Sequence, residues 1–568
     1  MPRMSRLLAC LGAALLVACS HDPMHDTEAA IASANTTARH GFGPEISAED
    51  FAAHVKVLAS DEFAGRAPGS VGEEKTVEYL RGQFQRLGLQ PGNGDSYFQT
   101  VPMVETEVDH GASRVALAAG GKALAPVLGE NMVLGTRRAQ AQVQVDSSPL
   151  VFVGYGVNAP EQGWNDYAGL DVHGKTVVML VNDPGFHAGD ASLFEGRRMT
   201  YYGRWTYKFE EAARQGAAAA LIIHDTAGAG YGWEVVRNSW GGPQFGLRQA
   251  DDPAPRLPAQ GWIDATLASA LFAAAGQDLD ALRVAAGKRG FKAVPLGDAR
   301  LDVDLTSHIR EAQSRNVVAR LPGTTHAGEA VVYSAHWDHL GTHPDEPGDN
   351  IYNGAIDNAT GVAGVLEIAE SFTVRKSPPE RSVVFLLVTL EESGLLGSQY
   401  YAAHPVVPLA QTVAVVNLDA LPVVGPTRDF VVVGLGNNEL EDVLRPIAAK
   451  QGRVLVAESE PERGSFFRSD HFNFAKAGVP ALYAKGGIDH LEGGVAQGKA
   501  MLDDYVTHRY HKAADNYDPD WDLRGVVKDL QALYMVGDAL VNSRDWPNYR
   551  EVSEFRAVRD ASRKDRQP

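Results

Sequence analysis

Five side chains of types that bind metal ions follow three apolar segments of the sequence. They are His336, Asp338, Glu391, Glu392 and Asp419. Imidazole and carboxylate groups are common zinc ligands, and adjacent anions at a buried strand end are costly unless a cation compensates them. The pattern therefore predicts a metal site able to polarise a carbonyl and activate water.

Two further segments add candidate ligands. Asp357 lies in GAIDNATGVAG just ahead of a predicted helix, where a carboxylate can equally serve as a helix cap. His508 and His511 lie in HRYHKAADNYD, near the end of the expected fold. Two histidines and three carboxylates suffice for two zinc ions if one carboxylate bridges them, so the set predicts a two-zinc site.

The neighbouring residues Glu391 and Glu392 suggest a division of roles. Consecutive side chains do not easily point the same way, so one can bind metal while the other acts as a base near the water. Spacing alone leaves these two roles interchangeable. The remaining candidates are expected to be ordinary histidines: His339, His343, His404, His471 and His490.

The elements that must position these residues are three nearly continuous apolar strands. They cover residues 330–339, 382–392 and 412–421, and a helix is predicted over 359–372 between the first two. Apolar strands with helical crossovers are typical of an α/β fold in which helices cover both faces of a mainly parallel sheet. Ligands bind such sheets beyond the carboxyl ends of their strands.

The chain of 568 residues is expected to contain more than one domain. Helices are predicted from Ser47 and over 77–87, whereas residues 106–295 show short alternating strands broken by glycine, typical of a separate β-rich domain. The predicted divisions are a signal peptide (1–18), a lipid-anchored linker (19–45), an N-terminal part (46–105), an inserted domain (106–295), a metal-binding part (296–545) and a charged tail (546–568).

The N-terminus has the features of an export signal. Arg3 and Arg6 precede the apolar run LLACLGAALLVA, which is too short for a membrane span. The run ends in LVAC and resembles the lipobox of bacterial lipoproteins, which implies that Cys19 is lipidated; a plain secretory signal is the alternative. Ser20 is compatible with outer-membrane sorting on the periplasmic side. Because the only other cysteine is Cys10, no disulfide is expected in the mature protein.

The overall charge narrows the possible partners. A formal net charge of −19 argues against nucleic-acid binding, which needs a basic surface. No later segment reaches the ~18 apolar residues that a membrane span requires, so membrane contact is expected only through the lipid anchor. The sequence predicts no oligomeric state.

Several motifs resemble the co-catalytic di-zinc aminopeptidases, the bacterial leucyl-aminopeptidase and glutamate-carboxypeptidase-II-like group. They are SAHWDHLG, GAIDNATGVAG, TLEESGLLGS, NLDA and YHKAADN, in that order, with LASDEFAGRAPGS and RSDHFNFAKAGVPAL as supporting segments. The resemblance implies a zinc-exopeptidase (phosphorylase/hydrolase-like) fold. Residues 106–295 resemble the protease-associated domain that many members carry, through YGVNAP, DYAGLDVHGKTVVML and KFEEAARQGAAAALIIHD.

The resemblance also implies which residue binds which zinc ion. His336 and Asp419 would hold one ion, and Glu392 and His511 would hold the other. Asp357 would bridge the two.

The same resemblance implies roles for four more residues. Glu391 would be the general base and later the proton donor to the leaving amine. Tyr510 would hydrogen-bond the oxyanion, and Asp338 would orient His336 from behind. The family's YH…AD pattern disfavours His508 as a ligand.

The implied function is aminopeptidase activity, in which a metal-bound hydroxide attacks the first peptide bond of a peptide substrate. A carboxypeptidase or dipeptidase on the same site is the enzymatic alternative. The added domain precedes His336, which favours the aminopeptidase group, and the complete five-ligand set argues against a one-zinc glutaminyl-cyclase-like enzyme. The third alternative is a surface binding protein with a non-catalytic scaffold.

Overall fold

Two helices begin the ordered body of the protein. The computed structural model describes residues 40–344 and 346–566, so the predicted signal peptide and Cys19 lie outside the described residues. Helix α1 spans Ala48–Leu58 and helix α2 spans Val71–Arg86, and the side chains of Ser47 and Ser70 accept hydrogen bonds at their N-termini. Both helices form where their apolar periodicity predicts them.

A β-rich region follows. Its strands are β1 Gln90–Pro91, β2 Phe98–Val108, β3 Arg114–Ala119, β4 Lys122–Ala123, β5 Met132–Gly135, β6 Gln142–Phe152, β7 Asn158–Ala159, β8 Trp164–Asn165, β9 Thr176–Leu180, β10 Ala219–Ile223, β11 Gln244–Leu247 and β12 Ala259–Ile263. Its helices are α3 Pro184–Ala188, α4 Trp205–Arg214, α5 Thr226–Ala229, α6 Trp233–Trp240, α7 Ala265–Ala274 and α8 Leu279–Ala286. The region has apolar core clusters of its own, on either side of its central strands.

A single long strand, β13 (Val294–Leu321), joins this region to the rest of the molecule. Its first part pairs with β3 and β6, its middle with β2, and residues 317–321 pair antiparallel with the buried strand Arg381–Val388. The strand therefore belongs to both sheets. Residues Gly43–Pro568 form one compact unit.

The remaining elements build the sheet that carries the candidate site. The strands of this part are β14 His326–His336, β15 Gly341–Thr342, β16 Ile351–Tyr352, β17 Arg381–Val388, β18 Thr412–Asn417, β19 Asp429–Val432, β20 Val454–Ala457 and β21 Ala481–Gly486. Of these, β15 and β16 form a separate two-stranded sheet. The helices of this part are α9 Thr360–Thr373, α10 Leu396–Ala403, α11 Leu440–Lys450, α12 His471–Lys476, α13 Gly494–His508, α14 Arg524–Val541 and α15 Arg556–Ser562. Among the described residues, no helix is both long and apolar enough to cross a bilayer.

Four neighbouring strands of this sheet, β17, β14, β18 and β21, run parallel. Alternate residues of β14 contribute to two different cores: Val331 and Tyr333 pack with α1, α2, α9 and α14, whereas Ala330 and Val332 pack with α10 and α12. Helices thus cover both faces, which confirms the predicted α/β fold class.

The carboxyl ends of the strands meet at one edge. His336 is paired with Val388, and Ser334 with Asn417, so the residues that follow these three strands emerge side by side. This is the edge at which an open parallel sheet binds its ligands.

The segment predicted as a charged tail is packed against this sheet. Tyr549, Phe555 and Arg559 are buried. The Tyr549 hydroxyl donates to the carbonyl of Val479 at 2.8 Å, and the Arg559 guanidinium donates to the carbonyls of Thr412 and Val413. The composition of this segment does not predict such burial, because most of its residues are polar or charged.

Candidate metal centre

The first half of the site surrounds the imidazole of His336 at the end of β14. Its Nε2 lies 3.2 Å from Oδ1 of Asp357 and 3.5 Å from Oδ1 of Asp419. All three residues are buried, and one ligand atom from each lies within 4.8 Å of the others. The structure thus brings together the three residues that the family resemblance assigns to one metal ion.

The second half of the site surrounds His511. Its Nε2 lies 3.1 Å from Oδ2 of Asp357 and 3.2 Å from Oε2 of Glu392. The two oxygens of Asp357 therefore face different histidines, Oδ1 towards His336 and Oδ2 towards His511. This is the arrangement that a bridging carboxylate needs.

The donor set fits zinc by spacing and by charge. Ligands of a tetrahedral zinc ion, bound at ~2.0–2.1 Å, are separated by about 3.3–3.5 Å, close to the distances between these nitrogen and oxygen atoms. Glu391, Glu392, Asp357 and Asp419 crowd around one edge of the sheet, an arrangement that a bound cation would compensate. Nitrogen and oxygen ligands in this number suit zinc.

A sharp turn after β17 carries the two glutamates. Leu390 has a left-handed backbone (φ 58°), and the amides of Leu396 and Gly397 return to the carbonyls of Leu390 and Thr389. Glu392 contacts the histidines, whereas no hydrogen bond to the Glu391 carboxylate occurs within residues 40–344 and 346–566. Both glutamates offer an oxygen that lies within 4.8 Å of a His336 nitrogen, so these contacts alone do not assign the roles of ligand and base.

Asp338 bonds to two strand ends, and Tyr510 stacks on a candidate ligand. The backbone carbonyl of Asp338 lies 3.1 Å from Nδ1 of His336, whereas its carboxylate Oδ1 is 3.9 Å away. That oxygen accepts instead from the amide of Glu391 at 3.2 Å. Asp338 therefore connects the two strand ends. The ring of Tyr510 stacks on His511 with centroids 3.9 Å apart.

The turn that carries Asp357 is held from two sides. The carboxylate of Asp515 accepts from the amides of Ile356 and Asp357 at 3.0 and 3.1 Å. The side chain of Asn358 accepts from the amide of Ala420 and donates to the carbonyl of Leu418, at 3.2 and 3.1 Å. These bonds fix the Asp357 turn relative to the end of β18.

His339 is the main site residue that the sequence assigns wrongly to the ordinary histidines. It is buried, its Nδ1 lies 2.7 Å from Oε1 of Glu392, and its Nε2 has no hydrogen-bond partner in the described chain. Together with Asp357 and Glu392, it forms another group close enough to hold a metal ion. Its place in HWDH, the motif that begins at His336, is the only signal in the sequence.

The electrostatics of the site follow from burial and close opposite charges. Burial lowers the pKa of His336, but Glu391, Asp357 and Asp419 outweigh it and raise that pKa well above its ordinary value. Burial raises the pKa of Asp357, but hydrogen bonds with His336 and His511 bring it well below its ordinary value. The pKa of Glu391 is raised well above its ordinary value, by burial and then by Glu392 and other carboxylates.

Residues 316–535 match the model of Peptidase family M28, and this segment includes every candidate zinc ligand. A probable zinc metalloprotease of Pyricularia oryzae is 33% identical over 132 residues, covering 21% of this chain and 24% of that protein. A vacuolar membrane protease of Clavispora lusitaniae is 30% identical over 118 residues, covering 21% of this chain and 10% of that protein. The chain thus spans about a quarter or less of the length of these curated relatives.

Solved structures are similar over more of the chain. For an aminopeptidase from Aneurinibacillus sp. strain AM-1, the similarity covers 92% of this chain and 97% of that one, with 19% identity and a TM-score of 0.45. For a Peptidase M28 precursor from Shewanella amazonensis SB2B, it covers 93% and 98%, with 16% identity and a TM-score of 0.39. The segment that resembles Peptidase family M28 is thus also the segment that contains the groups able to hold a metal ion.

Proposed function

We propose that this protein is a two-zinc exopeptidase, most specifically an aminopeptidase that hydrolyses the N-terminal bond of peptides. The observation that carries the proposal is Asp357, whose two oxygens face His336 and His511 separately. His336 and Asp419 would complete one zinc site, and His511 and Glu392 the other. The match of residues 316–535 to a peptidase family supports hydrolysis as the chemistry.

The side chains around the centre have separate tasks. When bound, zinc ions polarise the scissile carbonyl and lower the pKa of water. The Glu391 carboxylate accepts the proton from the attacking water and returns it to the leaving amine. Asp338 fixes the backbone of Glu391 through its amide hydrogen bond. Tyr510, stacked on His511, is the proposed donor to the oxyanion.

Replacement of the base tests this assignment. Glu391→Gln should keep two zinc ions per chain, measured by elemental analysis, and lower kcat by at least about 10²-fold because no carboxylate accepts the proton. The matched control is Glu346→Gln, an exposed carboxylate outside the site, which should leave kcat unchanged. Full activity of Glu391→Gln would contradict the role of Glu391, and a wild-type protein without zinc would support a non-catalytic scaffold instead.

Blocked dipeptides identify which substrate end is recognised. An aminopeptidase should cleave C-blocked dipeptides and fail on N-blocked ones, because the free amine must enter the site. The reverse result would identify a carboxypeptidase, and cleavage of the unblocked dipeptide alone would identify a dipeptidase. Each substrate is compared at equal concentration by release of free amino acid.

We also propose that residues 106–295 act as a protease-associated domain that limits substrate size. Tyr201 packs against Phe467 and Phe472 of the metal-binding part, and Lys476 lies 2.9 Å from Glu210. Through these contacts the β-rich region packs against α12 and the loop before it. Peptides of increasing length should therefore be cleaved with decreasing kcat/KM, and equal kcat/KM at all lengths would contradict this role.

A lipid anchor at Cys19 on the periplasmic side of a bacterial outer membrane remains our proposal for localisation. The chemistry of the lipobox requires the thiol of Cys19. Cys19→Ala should therefore move the protein from the membrane fraction to the soluble fraction, as measured by immunoblot after cell fractionation. A variant that stays fully membrane-bound would contradict the anchor.

A further inference from the structure

A buried arginine from the N-terminal part lies directly behind the metal centre. Arg66 is 1% exposed, and none of its contacts is an ion pair among the residues that the structure describes. Its guanidinium donates instead to four backbone carbonyls. It lies outside the segment that matches the peptidase family.

The four carbonyls belong to three separate parts of the chain. Nε donates to Trp337 at 2.8 Å, and Nη2 donates to Gly354 at 2.9 Å. Nη1 donates to both Leu58 and Asn353 at 2.6 Å. Trp337 directly follows the ligand His336, and Asn353 and Gly354 lie just before Asp357. One planar group thus spans two of the three loops that supply the ligands of the first zinc site.

The backbone of Arg66 strengthens this connection. Its carbonyl accepts from the amide of His339 at 3.3 Å, so Arg66 holds the HWDH segment on both sides of Asp338. Ala64, Gly65 and Arg66 all have left-handed backbones, with φ of 46°, 64° and 52°. Residues other than glycine rarely adopt this conformation, which persists only where surrounding contacts determine it.

We propose that Arg66 is a positioning residue for the metal centre, setting the distance between the loop of His336 and the loop of Asp357. This inference rests on the two-zinc site of the proposed function. The carboxylate of Asp515 accepts from the amides of Ile356 and Asp357. A cation therefore holds the carbonyls before Asp357, and an anion holds the amides of the same turn. Arginine suits the task because its donors form a rigid fork, whereas lysine offers a single flexible ammonium.

The test is the zinc affinity of the full chain with Arg66→Lys, measured by competition with a chelating dye. We expect zinc binding to weaken about 10–100-fold, the range typical for partners that orient metal ligands. The matched control is Arg81→Lys on α2, an arginine paired with Glu78 near the surface, which should bind zinc like the wild type. Unchanged affinity in folded Arg66→Lys would overturn the proposal.

A second readout separates positioning from simple stabilisation. At a fixed zinc concentration, the rise in Tm increases with the logarithm of the affinity of the folded protein for zinc. Arg66→Lys should therefore show a smaller zinc-induced rise in Tm, whereas a purely structural role would lower Tm equally with and without zinc. An equal decrease would overturn the proposal.

A milder variant covers the case in which Arg66→Lys does not fold. Asp61→Ala removes only the 2.7 Å hydrogen bond from the side chain of Asn353 to the same N-terminal segment. It should weaken zinc binding about threefold, less than the loss expected when a direct orienting partner is replaced. Glu62→Ala, at the next position in the sequence, is the control and should bind zinc like the wild type. Unchanged zinc binding in Asp61→Ala would count against the proposal.

The wild-type protein distinguishes this inference from the proposed function on which it rests. Wild-type protein that binds zinc but cleaves no peptide would refute the proposed function alone. A wild type that binds no zinc would refute both.

Discussion

At the scale of single residues, burial raises the pKa of one carboxyl group that is not a candidate metal ligand. Glu367 on α9 accepts from the amide of Ser47 at 3.0 Å, and its side chain is 1% exposed. Burial raises its pKa to about 8, with Asp50 and Glu370 adding to the effect and Arg86 opposing it. The folded protein therefore binds a proton at Glu367 that the unfolded chain releases above its ordinary pKa of 4.5.

This shift predicts the direction of a pH effect on stability. The stabilisation from protonated Glu367 is complete below the unfolded pKa and is lost as the pH rises through about 8. Glu367→Gln should remove this loss, so its free energy of unfolding relative to wild type should increase by about 4 kcal/mol between about pH 5 and pH 9. Urea titrations measure the difference. Glu78→Gln, exposed on α2, should show none.

The ligand set illustrates which residue-level features a sequence can reveal. The five predicted ligands, His336, Asp357, Glu392, Asp419 and His511, are recognisable because each stands in a short motif beside a predicted element. The structure brings their ligand atoms together.

The residues that support these ligands are not recognisable in the sequence. Arg66 and Asp515 form hydrogen bonds with backbone groups 271 and 159 residues away in the sequence. Because these partners are backbone atoms, no particular type of side chain marks them in the sequence. The sequence does not mark His339 as a site residue, because its contact with Glu392 depends on the direction in which the Glu392 side chain points. Contacts of this kind exist only in the folded chain.

At the scale of elements, periodicity locates the strands but not their ends. The predicted strands 382–392 and 412–421 end in the structure at Val388 and Asn417. Beyond these residues, Leu390 and Ala420 adopt left-handed backbones that turn the chain away from the sheet. Apolar patterning does not report such turns. It also does not reveal β13, which crosses the predicted boundary at residue 295.

The packing of α14 on β14 gives a prediction for two helical glycines. An added Cβ at Gly537 would lie 1.9 Å from the hydroxyl oxygen of Tyr333, which donates to the carbonyl of Leu533. Gly537→Ala should therefore destabilise the protein by about 1–3 kcal/mol, despite the better helix propensity of alanine.

The matched substitution is Gly82→Ala, on α2. An added Cβ there meets nothing within 4 Å, so the same change should stabilise the protein by about 0.5–1 kcal/mol. Thermal unfolding of both variants measures the contrast. Equal changes in stability for the two variants would contradict the predicted clash between an alanine at position 537 and Tyr333.

At the scale of the whole molecule, the core behind the site combines distant parts of the chain. Phe51 and Val55 of α1 and Phe84 of α2 belong to the same apolar cluster as β17 and α14, with the ring centroids of Phe84 and Phe385 6.3 Å apart. The peptidase segment 316–535 is therefore incomplete as a folding unit.

This incompleteness predicts the behaviour of a fragment. Residues 316–535 expressed alone should expose the apolar surface that α1 and α2 cover, and should be insoluble or rapidly digested by trypsin. Residues 43–566 should be soluble and resistant, which circular dichroism and limited proteolysis can establish. A protease-resistant fragment 316–535 that binds zinc would contradict the prediction.

The contacts of Arg66 also constrain the order in which the protein can form during synthesis. Its partners Trp337 and Gly354 lie 271 and 288 residues further along the chain. At ~5–20 residues per second, the ribosome needs roughly 15–60 s to produce them after Arg66 has been made. Through that interval α1 and α2 have no sheet to cover, while the β-rich region between them and β14 is being synthesised. Until the strands of the metal-binding part have been made, the apolar faces of these two helices stay uncovered and are prone to aggregate.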